Sequence, residues 1–292
     1  MKQIQLFSNH DTLCNPSIVE YNKGMLGIAR RWYDKKYLLS CRSYLFRLNE
    51  QLRLEQFLEV PFLNGLNDYT LYRKNEGVIC LVFGQNKSYT VSISNGCVSL
   101  GKLLNTKPID GLKKKSSFHF CNKNFSPLQF TGEDLFVYSI NPFILVKLVD
   151  DTFHKIKTDL GHNPLLPSKP HGGTRFIKFS EDEAIGMFHT YKTYRKKRRY
   201  KTYIMTVSTR FPYTPLRVSS KPFIDAAVEA KNMCNQDLPW LASGSKVVFE
   251  RGLARFGNDF MVSYGLQDNQ SILLKATPTE LDSFLDKRLD GN

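Results

Sequence analysis

A strand–turn–strand unit recurs five times along this chain, and no other feature of the sequence constrains the fold as strongly. Each copy begins with a short apolar run, passes through a turn containing Gly, Asn, Asp or Glu, and ends in a second apolar run. The copies span 15–30, 68–83, 124–139, 174–189 and 250–264. In four of them the leading polar residue precedes the first apolar residue of the second run by 11 positions, and in the fifth by 10.

The period of the repeat predicts the fold class. The leading residues are separated by 53, 56, 50 and 76 residues, which is the size of one small antiparallel sheet per unit. Five such units predict an all-β chain folded as a five-bladed β-propeller. We expect one domain over residues 1–292, with blades near 12–60, 61–110, 115–165, 170–222 and 245–276. A chance alignment of unrelated hairpins is the alternative explanation.

The two ends of the chain complete this prediction. Blade 5 is one strand short, and residues 3–7 (QIQLF) would supply that strand and close the ring without a free edge. At the other end Thr277 and Glu280 form a capping-box pattern, with Pro278 at the first helical position. We therefore expect a helix over 278–289, packed outside the blades.

Composition and motifs exclude several classes of protein. With 41% hydrophobic and 13% aromatic residues the chain can bury a core, so it is not expected to be disordered. No window approaches the roughly 18 apolar residues of a membrane span, and the opening MKQIQLFSNHD has no apolar stretch typical of a signal peptide. The cysteines and histidines show no metal-ligand spacing. We expect a soluble cytoplasmic protein without a metal or a resident cofactor.

In a propeller the first strand of each blade lines the central axis, so its leading residue lies at the same mouth as the end of the second strand. The leading residues are Asn15, Asp68, Asn124, Thr174 and Glu250. The residues that end the second strands are Arg30, Phe83, Ser139, His189 and Tyr264. Lys123, His171, Arg175 and Arg251 are their neighbours. The sequence thus predicts a basic, hydroxyl-rich mouth, in which Asn15, Asn124, Thr174 and Glu250 contact a sugar.

The small number of carboxylates at this mouth separates reaction types. A simple glycosidase needs two carboxyl groups at a fixed separation, whereas here Asp68 has only Glu250 as a partner in register. One acid among several cations favours glycosyl transfer to or from a phosphate-bearing group, because the acid handles the proton and the cations hold the phosphate. The alternative is that Asp68 only caps a turn.

The sequence also resembles the five-bladed propeller mannoside phosphorylases and the related β-mannosyltransferases, as a divergent member. The resemblance rests on CNPSI, LNDYTLY, KNFSP with FVYSINPFILVKL, HGGTRFI with MFHTY, and GLARFGNDFMVSYGLQD, in that order. It implies that Asp68 is the general acid. It further implies that Lys123, Arg30, Arg175 and His189 bind phosphate or the donor, and that Tyr264 and Asp268 lie near the sugar.

Two departures from the family pattern bear on the subclass. Blade 2 of the family phosphorylases usually carries Asp-Pro-Arg, where this chain has Asp68-Tyr69-Thr70, and Phe125 stands where Trp is usual. A nucleotide-sugar or sugar-phosphate transferase is therefore favoured over a plain phosphorylase. The co-substrate would be phosphate, a sugar phosphate or a nucleotide sugar. A glycoside hydrolase of the same propeller type and a non-catalytic propeller that binds glycan or partner proteins remain alternatives.

A basic run, YKTYRKKRRYK, occupies residues 191–201 and carries seven of the cations behind the net charge of +14. It lies between the second and third strands of blade 4, so we expect the tip of a hairpin that overhangs the mouth. A solvated loop is one interpretation. The other is a contact with an anionic donor, a lipid-linked glycan or an anionic membrane surface, which would make the protein peripheral to the membrane. Nucleic acid is disfavoured because no recognition motif accompanies the run.

Overall fold

The computed structural model describes residues 1–6, 13–32, 41–65, 68–74, 77–84, 87–94, 97–104, 125–156, 160–195, 197–229, 246–267 and 270–289. Within these residues the backbone forms five sheets of antiparallel strands and very little helix. The prediction of a nearly all-β chain is thus confirmed. None of the helices in the described ranges is long and apolar enough to cross a membrane.

The first half of the chain contributes an N-terminal strand, which pairs with the last sheet, and three four-stranded sheets. The N-terminal strand is β1 (Lys2–Gln5). Sheet 1 holds β2 (Leu13–Tyr21), β3 (Gly24–Trp32), β4 (Cys41–Leu48) and β5 (Leu54–Glu59). Sheet 2 holds β6 (Asp68–Lys74), β7 (Gly77–Gly84), β8 (Lys87–Ser94) and β9 (Cys97–Leu104). Sheet 3 holds β10 (Ser126–Pro127), β11 (Leu135–Ile140), β12 (Phe143–Val149) and β13 (Thr152–Ile156).

The second half contributes the other two sheets and two short helices. Sheet 4 holds β14 (His171–Gly172), β15 (Ile177–Lys178), β16 (Glu183–Tyr194), β17 (Lys197–Ser208), β18 (Pro215–Val218) and β19 (Ile224–Asp225), followed by helix α1 (Ala226–Glu229). Sheet 5 holds β20 (Val248–Phe256), β21 (Asp259–Leu266) and β22 (Gln270–Ala276), followed by helix α2 (Pro278–Asp282). Strand β23 (Lys287–Arg288) returns to sheet 4 beside β18.

Tight hairpins produce this meander because their turn residues suit the twist of the strands. Asn22 and Lys23 join β2 to β3 with φ of 44° and 61°, and Asp150 and Asp151 join β12 to β13 with φ of 48° and 62°. Two consecutive residues at positive φ form the turn that matches right-handed strand twist, and Asn and Asp tolerate that conformation better than other non-glycine residues.

Apolar side chains form a separate buried cluster between each sheet and the next. Such clusters join sheet 1 to 2, 2 to 3, 3 to 4, 4 to 5, and 5 back to 1. The two hydrogen bonds of Ser17 join neighbouring sheets in the same order. Ser17 Oγ donates to the carbonyl of Arg251 in sheet 5 and accepts from the amide of Leu71 in sheet 2. The five sheets therefore contact one another in cyclic order, and each sheet is stabilised by two neighbours.

The N-terminal strand joins the last sheet, as the sequence predicts. Gln3 pairs with Leu274 of β22 and Gln5 with Ile272, and the amide of Leu6 donates to the carbonyl of Ser271. Phe7, the last residue of the predicted strand, lies outside the described residues. Sheet 5 thereby gains its fourth strand from the opposite end of the chain.

The prediction of a helix over 278–289 is wrong beyond Asp282. The capping box is present, since the Glu280 amide donates to Thr277 Oγ1 at 3.2 Å and the Thr277 amide to Glu280 Oε2 at 2.9 Å. After α2 the chain turns, and the Asp286 carboxylate accepts from the amide of Ser220 at 2.6 Å. Lys287 and Arg288 then extend the open edge of β18. Pairing with that edge satisfies backbone groups that two further helical turns would have satisfied internally.

Candidate active site

Strand registers bring most of the predicted ring residues to one end of the sheets. At this end Asp68 pairs with Phe83, Glu250 with Tyr264, Cys14 with Arg30 and His171 with His189. A bulge follows Cys14 in β2. Asn15 lies in this bulge, next to the Cys14–Arg30 pair, and has a φ of 52°. We call this end of the sheets the mouth. The adjacent connections include stretches outside the described residues.

Glu250 is fully buried, with no exposed side-chain surface. Its Oε1 lies 2.9 Å from Nδ1 of His189, and its Oε2 accepts from Thr202 Oγ1 at 2.8 Å. A buried carboxylate is tolerated only when its oxygens are hydrogen-bonded or ion-paired, and here both oxygens are. Glu250 is therefore occupied by protein groups rather than open to a ligand.

The close approach of Gly173 keeps Glu250 in place. A Cβ atom at Gly173 would lie 2.1 Å from Oε1 of Glu250 and 2.8 Å from its Cδ. A side chain there would have to displace the Glu250 carboxylate, so glycine lets sheet 4 pack closely against sheet 5. Gly173 thus allows a tight approach of the backbone to the acid.

The Glu250 contact orients the imidazole of His189. An ionised carboxylate can only accept, so Nδ1 of His189 then carries the proton and Nε2 is the ring's second functional atom. Within the described part of the chain no protein group hydrogen-bonds to Nε2. His189 is itself buried at 2% exposure.

Four rings hold His189 in this orientation. His171 stacks on His189 with centroids 5.6 Å apart, and Tyr191 stacks on His171 at 5.4 Å. Tyr200 contacts Tyr191 at 5.2 Å and His189 at 5.5 Å, and Phe249 packs against His189 at 5.1 Å. Burial lowers the pKa of His171, the neighbouring His189 lowers it further, and Glu250 opposes the shift.

Arg30 lies at the mouth between sheets 1 and 2. Its side chain is 7% exposed, and its charge acts on the hydroxyl of Tyr69, which follows Asp68 in β6. Burial dominates and raises the pKa of Tyr69 above its usual value, so the phenol stays neutral beside Ser43, its hydrogen-bond partner. Arg30 thus acts on Tyr69, the residue that follows Asp68 in the sequence, and its phosphate role stays a prediction.

Arg175 lies apart from this group. Its Nε donates to the carbonyl of Leu253 at 2.7 Å, and its Nη2 donates to Glu20 Oε2 at 2.6 Å. Glu20 is near the far end of β2, on the side of the sheets opposite the mouth. The structure therefore separates Arg175 from His189 and balances its charge inside the protein.

Three other predicted residues make buried contacts, and three more fall outside the described ranges. Thr174 is fully buried and uses Oγ1 to accept from the amide of Met187. The hydroxyl of Tyr264 accepts from Gln3 at 3.1 Å and contacts Glu229 at 3.4 Å. Asn15 is 4% exposed, and Gly265 allows its close approach. Lys123, Asn124 and Asp268 lie outside the described residues.

Thr202 is a site residue that inspection of motifs overlooks. It lies directly opposite His189 in the β16–β17 hairpin. The signal is present in the sequence, since a hairpin that turns on Arg195 and Lys196 places 189 opposite 202. A polar residue opposite His189 lies close enough to donate a hydrogen bond to the buried Glu250, as Thr202 does.

No group of His, Cys, Asp and Glu within the described ranges could hold a metal ion. A cavity of about 600 Å³ lies at the other end of the sheets, between the hairpins of sheets 1 and 5. Its lining includes Glu20, Lys23, Arg73 and Arg255. Its acids and bases are interleaved at the surface, whereas the mouth holds the buried Glu250 and His189.

Comparison with known proteins supports the fold. No family model and no curated protein matches the sequence. A β-1,2-mannobiose phosphorylase from Listeria innocua, in complex with β-1,2-mannobiose, superposes with a TM-score of 0.64 at 13% identity, covering 98% of this chain and 99% of that one. A mannose phosphorylase from Leishmania mexicana, in complex with phosphate ion, gives 0.56 at 12% identity, covering 97% and 89%.

A glycosyl hydrolase from Bacteroides ovatus gives a TM-score of 0.63 at 12% identity, covering 92% of this chain and 85% of that one. Likeness at such identities shows a shared fold and leaves the activity of this chain open.

Proposed function

We propose that the protein is a five-bladed β-propeller enzyme that transfers a glycosyl group of mannosyl type, with inversion, to or from a phosphate-bearing partner. The cyclic contacts between its five sheets support the propeller. The likeness to mannoside phosphorylases and glycosyl hydrolases supports action on a carbohydrate.

The environment of Glu250 is the observation that carries the reaction type. A simple inverting hydrolase needs a second carboxyl group to activate water. Glu250 is the second carboxylate that the sequence places in register, and both its oxygens are bound to His189 and Thr202. Asp68 is thereby left as the acid of the mouth, and the nucleophile must be a group that needs little activation. A phosphate oxygen meets that condition.

The chemistry assigns roles to three residues. In the direction of phosphorolysis a phosphate oxygen attacks the anomeric carbon, the glycosidic C–O bond breaks, and Asp68 donates its proton to the departing oxygen. In synthesis the acceptor hydroxyl attacks, the sugar-to-phosphate bond breaks, and Asp68 takes the hydroxyl proton. Arg30 holds the phosphate through charge-assisted hydrogen bonds, and Nε2 of His189, the acceptor in this tautomer, accepts a hydrogen bond from the protonated oxygen of monohydrogen phosphate.

A screen of donors tests this proposal. Mannose 1-phosphate and GDP-mannose would each be incubated with mannose oligosaccharides, and β-mannosides would be incubated with and without inorganic phosphate. Product formation that needs a phosphate-bearing partner is expected, with loss of turnover in Asp68→Asn. Asp182→Asn, at an exposed site in the turn between β15 and β16, is the matched control and should retain activity.

Two outcomes would contradict the proposal. Release of mannose from β-mannosides at an equal rate without phosphate would identify a hydrolase. Binding of oligosaccharides without turnover of any donor, unchanged in Asp68→Asn, would identify a glycan-binding propeller.

A further inference from the structure

The hairpin formed by β16 and β17 extends well past the mouth. Each strand has 12 residues, whereas the second strands of the other sheets have six to nine. The strands pair without a break from Glu183 and Ser208 to Tyr194 and Lys197, and turn at Arg195, which has φ of 48°. Tyr194 follows His189 by five positions, so at the usual rise of a strand the tip of the hairpin lies about 17 Å beyond the backbone of His189.

Alternation of side chains gives this hairpin two different faces. His189, Tyr191, Tyr200 and Thr202 share the face that packs toward sheet 5 and Glu250. The opposite face carries Lys192, Lys197, Arg199 and Lys201, all exposed. We call these four residues the cation face.

The cation face places like charges side by side. Lys192 is directly opposite Arg199, and Lys197 and Lys201 are the diagonal neighbours of that pair. Like charges in cross-strand positions destabilise a hairpin. Lys201 pairs with Asp225 at 3.3 Å. In the part of the chain that the structure describes, no carboxylate lies within ion-pair distance of Lys192, Lys197 or Arg199.

Two aromatic rings of the hairpin, those of Tyr191 and Tyr200, are already engaged. Tyr191 and Tyr200 stack on each other and on the two histidines. They anchor the hairpin to the body of the protein, and their faces are taken up by these stacks rather than open to a nucleic-acid base. The cation face therefore offers charge without base recognition.

An extended anionic surface fits this face better than one small anion. A single phosphate engages only one or two cations, whereas the cation face spreads four of them along a projecting arm. Anionic headgroups of a bilayer attract each surface cation without needing a defined geometry. We propose that the cation face docks the protein on an anionic lipid bilayer and so brings the mouth close to that surface.

Vesicle binding tests the proposal directly and requires no turnover. Phosphatidylcholine vesicles with and without about 30% phosphatidylserine would be sedimented with the protein at low salt. The wild type should bind only the anionic vesicles and should be released as salt is raised. Replacing Lys192, Lys197 and Arg199 by Gln should lower the partition coefficient about a hundredfold.

The control variant replaces Arg53, Lys178 and Lys221 by Gln, which removes the same charge from exposed sites elsewhere. It should bind the anionic vesicles as the wild type does. Equal losses in both variants, or no binding by the wild type, would overturn the proposal. So would a hairpin variant that keeps vesicle binding but loses binding to a single-stranded oligonucleotide. The melting temperature of each variant shows whether it is folded.

Discussion

Oε1 of Glu250 lies 2.9 Å from Nδ1 of His189, at a place between sheets 4 and 5 that solvent does not reach. Thr202 holds the other oxygen. One carboxylate thus ties two neighbouring sheets together and also orients the imidazole of a residue that lies at the mouth. The Glu250 side chain therefore contributes both to the stability of the fold and to the proposed reaction, and different substitutions test the two roles separately.

Glu250→Gln should keep the fold and lose activity. The amide has the same shape and can still hydrogen-bond to Thr202, but it no longer forces the proton of His189 onto Nδ1. We expect turnover to fall by about a hundredfold or more, with little change in the melting temperature. Steady-state kinetics with the active donor, together with thermal denaturation, measure both.

Thr202→Val is the matched comparison. It preserves the volume of the side chain, leaves Oε2 of Glu250 without its hydrogen bond, and does not touch the contact with His189. The free energy of unfolding should fall by about 1–3 kcal/mol, while turnover changes by less than it does in Glu250→Gln. Equal kinetic losses in the two variants would show that Glu250 acts only as a structural group.

Gly173→Ala should disrupt the same contact from the other side. The added methyl group would lie 2.1 Å from Oε1 of Glu250 and must displace the carboxylate or separate the sheets. We expect a loss of about 1–3 kcal/mol in the free energy of unfolding, measured by chemical denaturation. Gly161→Ala is the control, because nothing lies within 4 Å of the position that its methyl group would occupy. A neutral Gly173→Ala would contradict the described packing.

Arg175→Gln should be a stability variant rather than a ligand-binding one. Its guanidinium is 1% exposed and bonds to Glu20 and to the carbonyl of Leu253. Removing one partner of such a pair costs about 3 kcal/mol. Arg210→Gln is the control. Arg210 forms an ion pair with Asp182 at 2.8 Å on the surface, and its loss should change the free energy of unfolding by no more than about 0.5 kcal/mol. A stable Arg175→Gln would argue against a buried pair.

His171 should make stability depend on pH. Its folded pKa lies below its ordinary value of 6.5, chiefly because of burial and then because of His189, against the pull of Glu250. The unfolded chain therefore binds the proton more readily, so the free energy of unfolding falls as pH drops below about 6.5. Denaturation curves from about pH 7.5 to about pH 5 should show a smaller fall for His171→Gln than for the wild type. His154→Gln, an exposed site on β13, should follow the wild type.

The sequence carries enough information to predict the sheets and their ends. Alternation and spacing gave the leading residues, and the registers of β6 with β7 and β20 with β21 place Asp68 and Glu250 as expected. The pairing of Gln3 with Leu274 could be inferred because sheet 5 needed a fourth strand. These features follow from the alternation of apolar residues along each strand and from the need of a sheet's edge strand for a hydrogen-bonded partner.

The reach and surroundings of single side chains could not be predicted in the same way. Arg175 follows Thr174 by one residue, yet its long side chain reaches Glu20, which only the packing of sheets brings near. A bulge after Glu250 changes which way the following residues face. The end of α2 at Asp282 likewise depends on a distant partner, since Asp286 finds Ser220. The repeat in the sequence predicts where the strands lie, but it does not predict contacts between side chains that are distant in the sequence.

The last prediction concerns the anion that the mouth is proposed to hold. Arg30 is nearly buried beside Tyr69, so a phosphate at the mouth would gain charge-assisted hydrogen bonds from a preformed group. Inorganic phosphate or mannose 1-phosphate at a hundred times its dissociation constant should stabilise the wild type by about 2.7 kcal/mol, which raises the melting temperature measurably.

Arg30→Gln should reduce this increase in melting temperature. Asp68→Asn should retain it while turnover is lost, since the acid acts on the glycosidic oxygen and not on the phosphate. Arg175→Gln should lower the starting temperature but keep the increase, because its guanidinium is held by Glu20. Protection by neutral oligosaccharides and not by these anions would favour a lectin-like propeller instead.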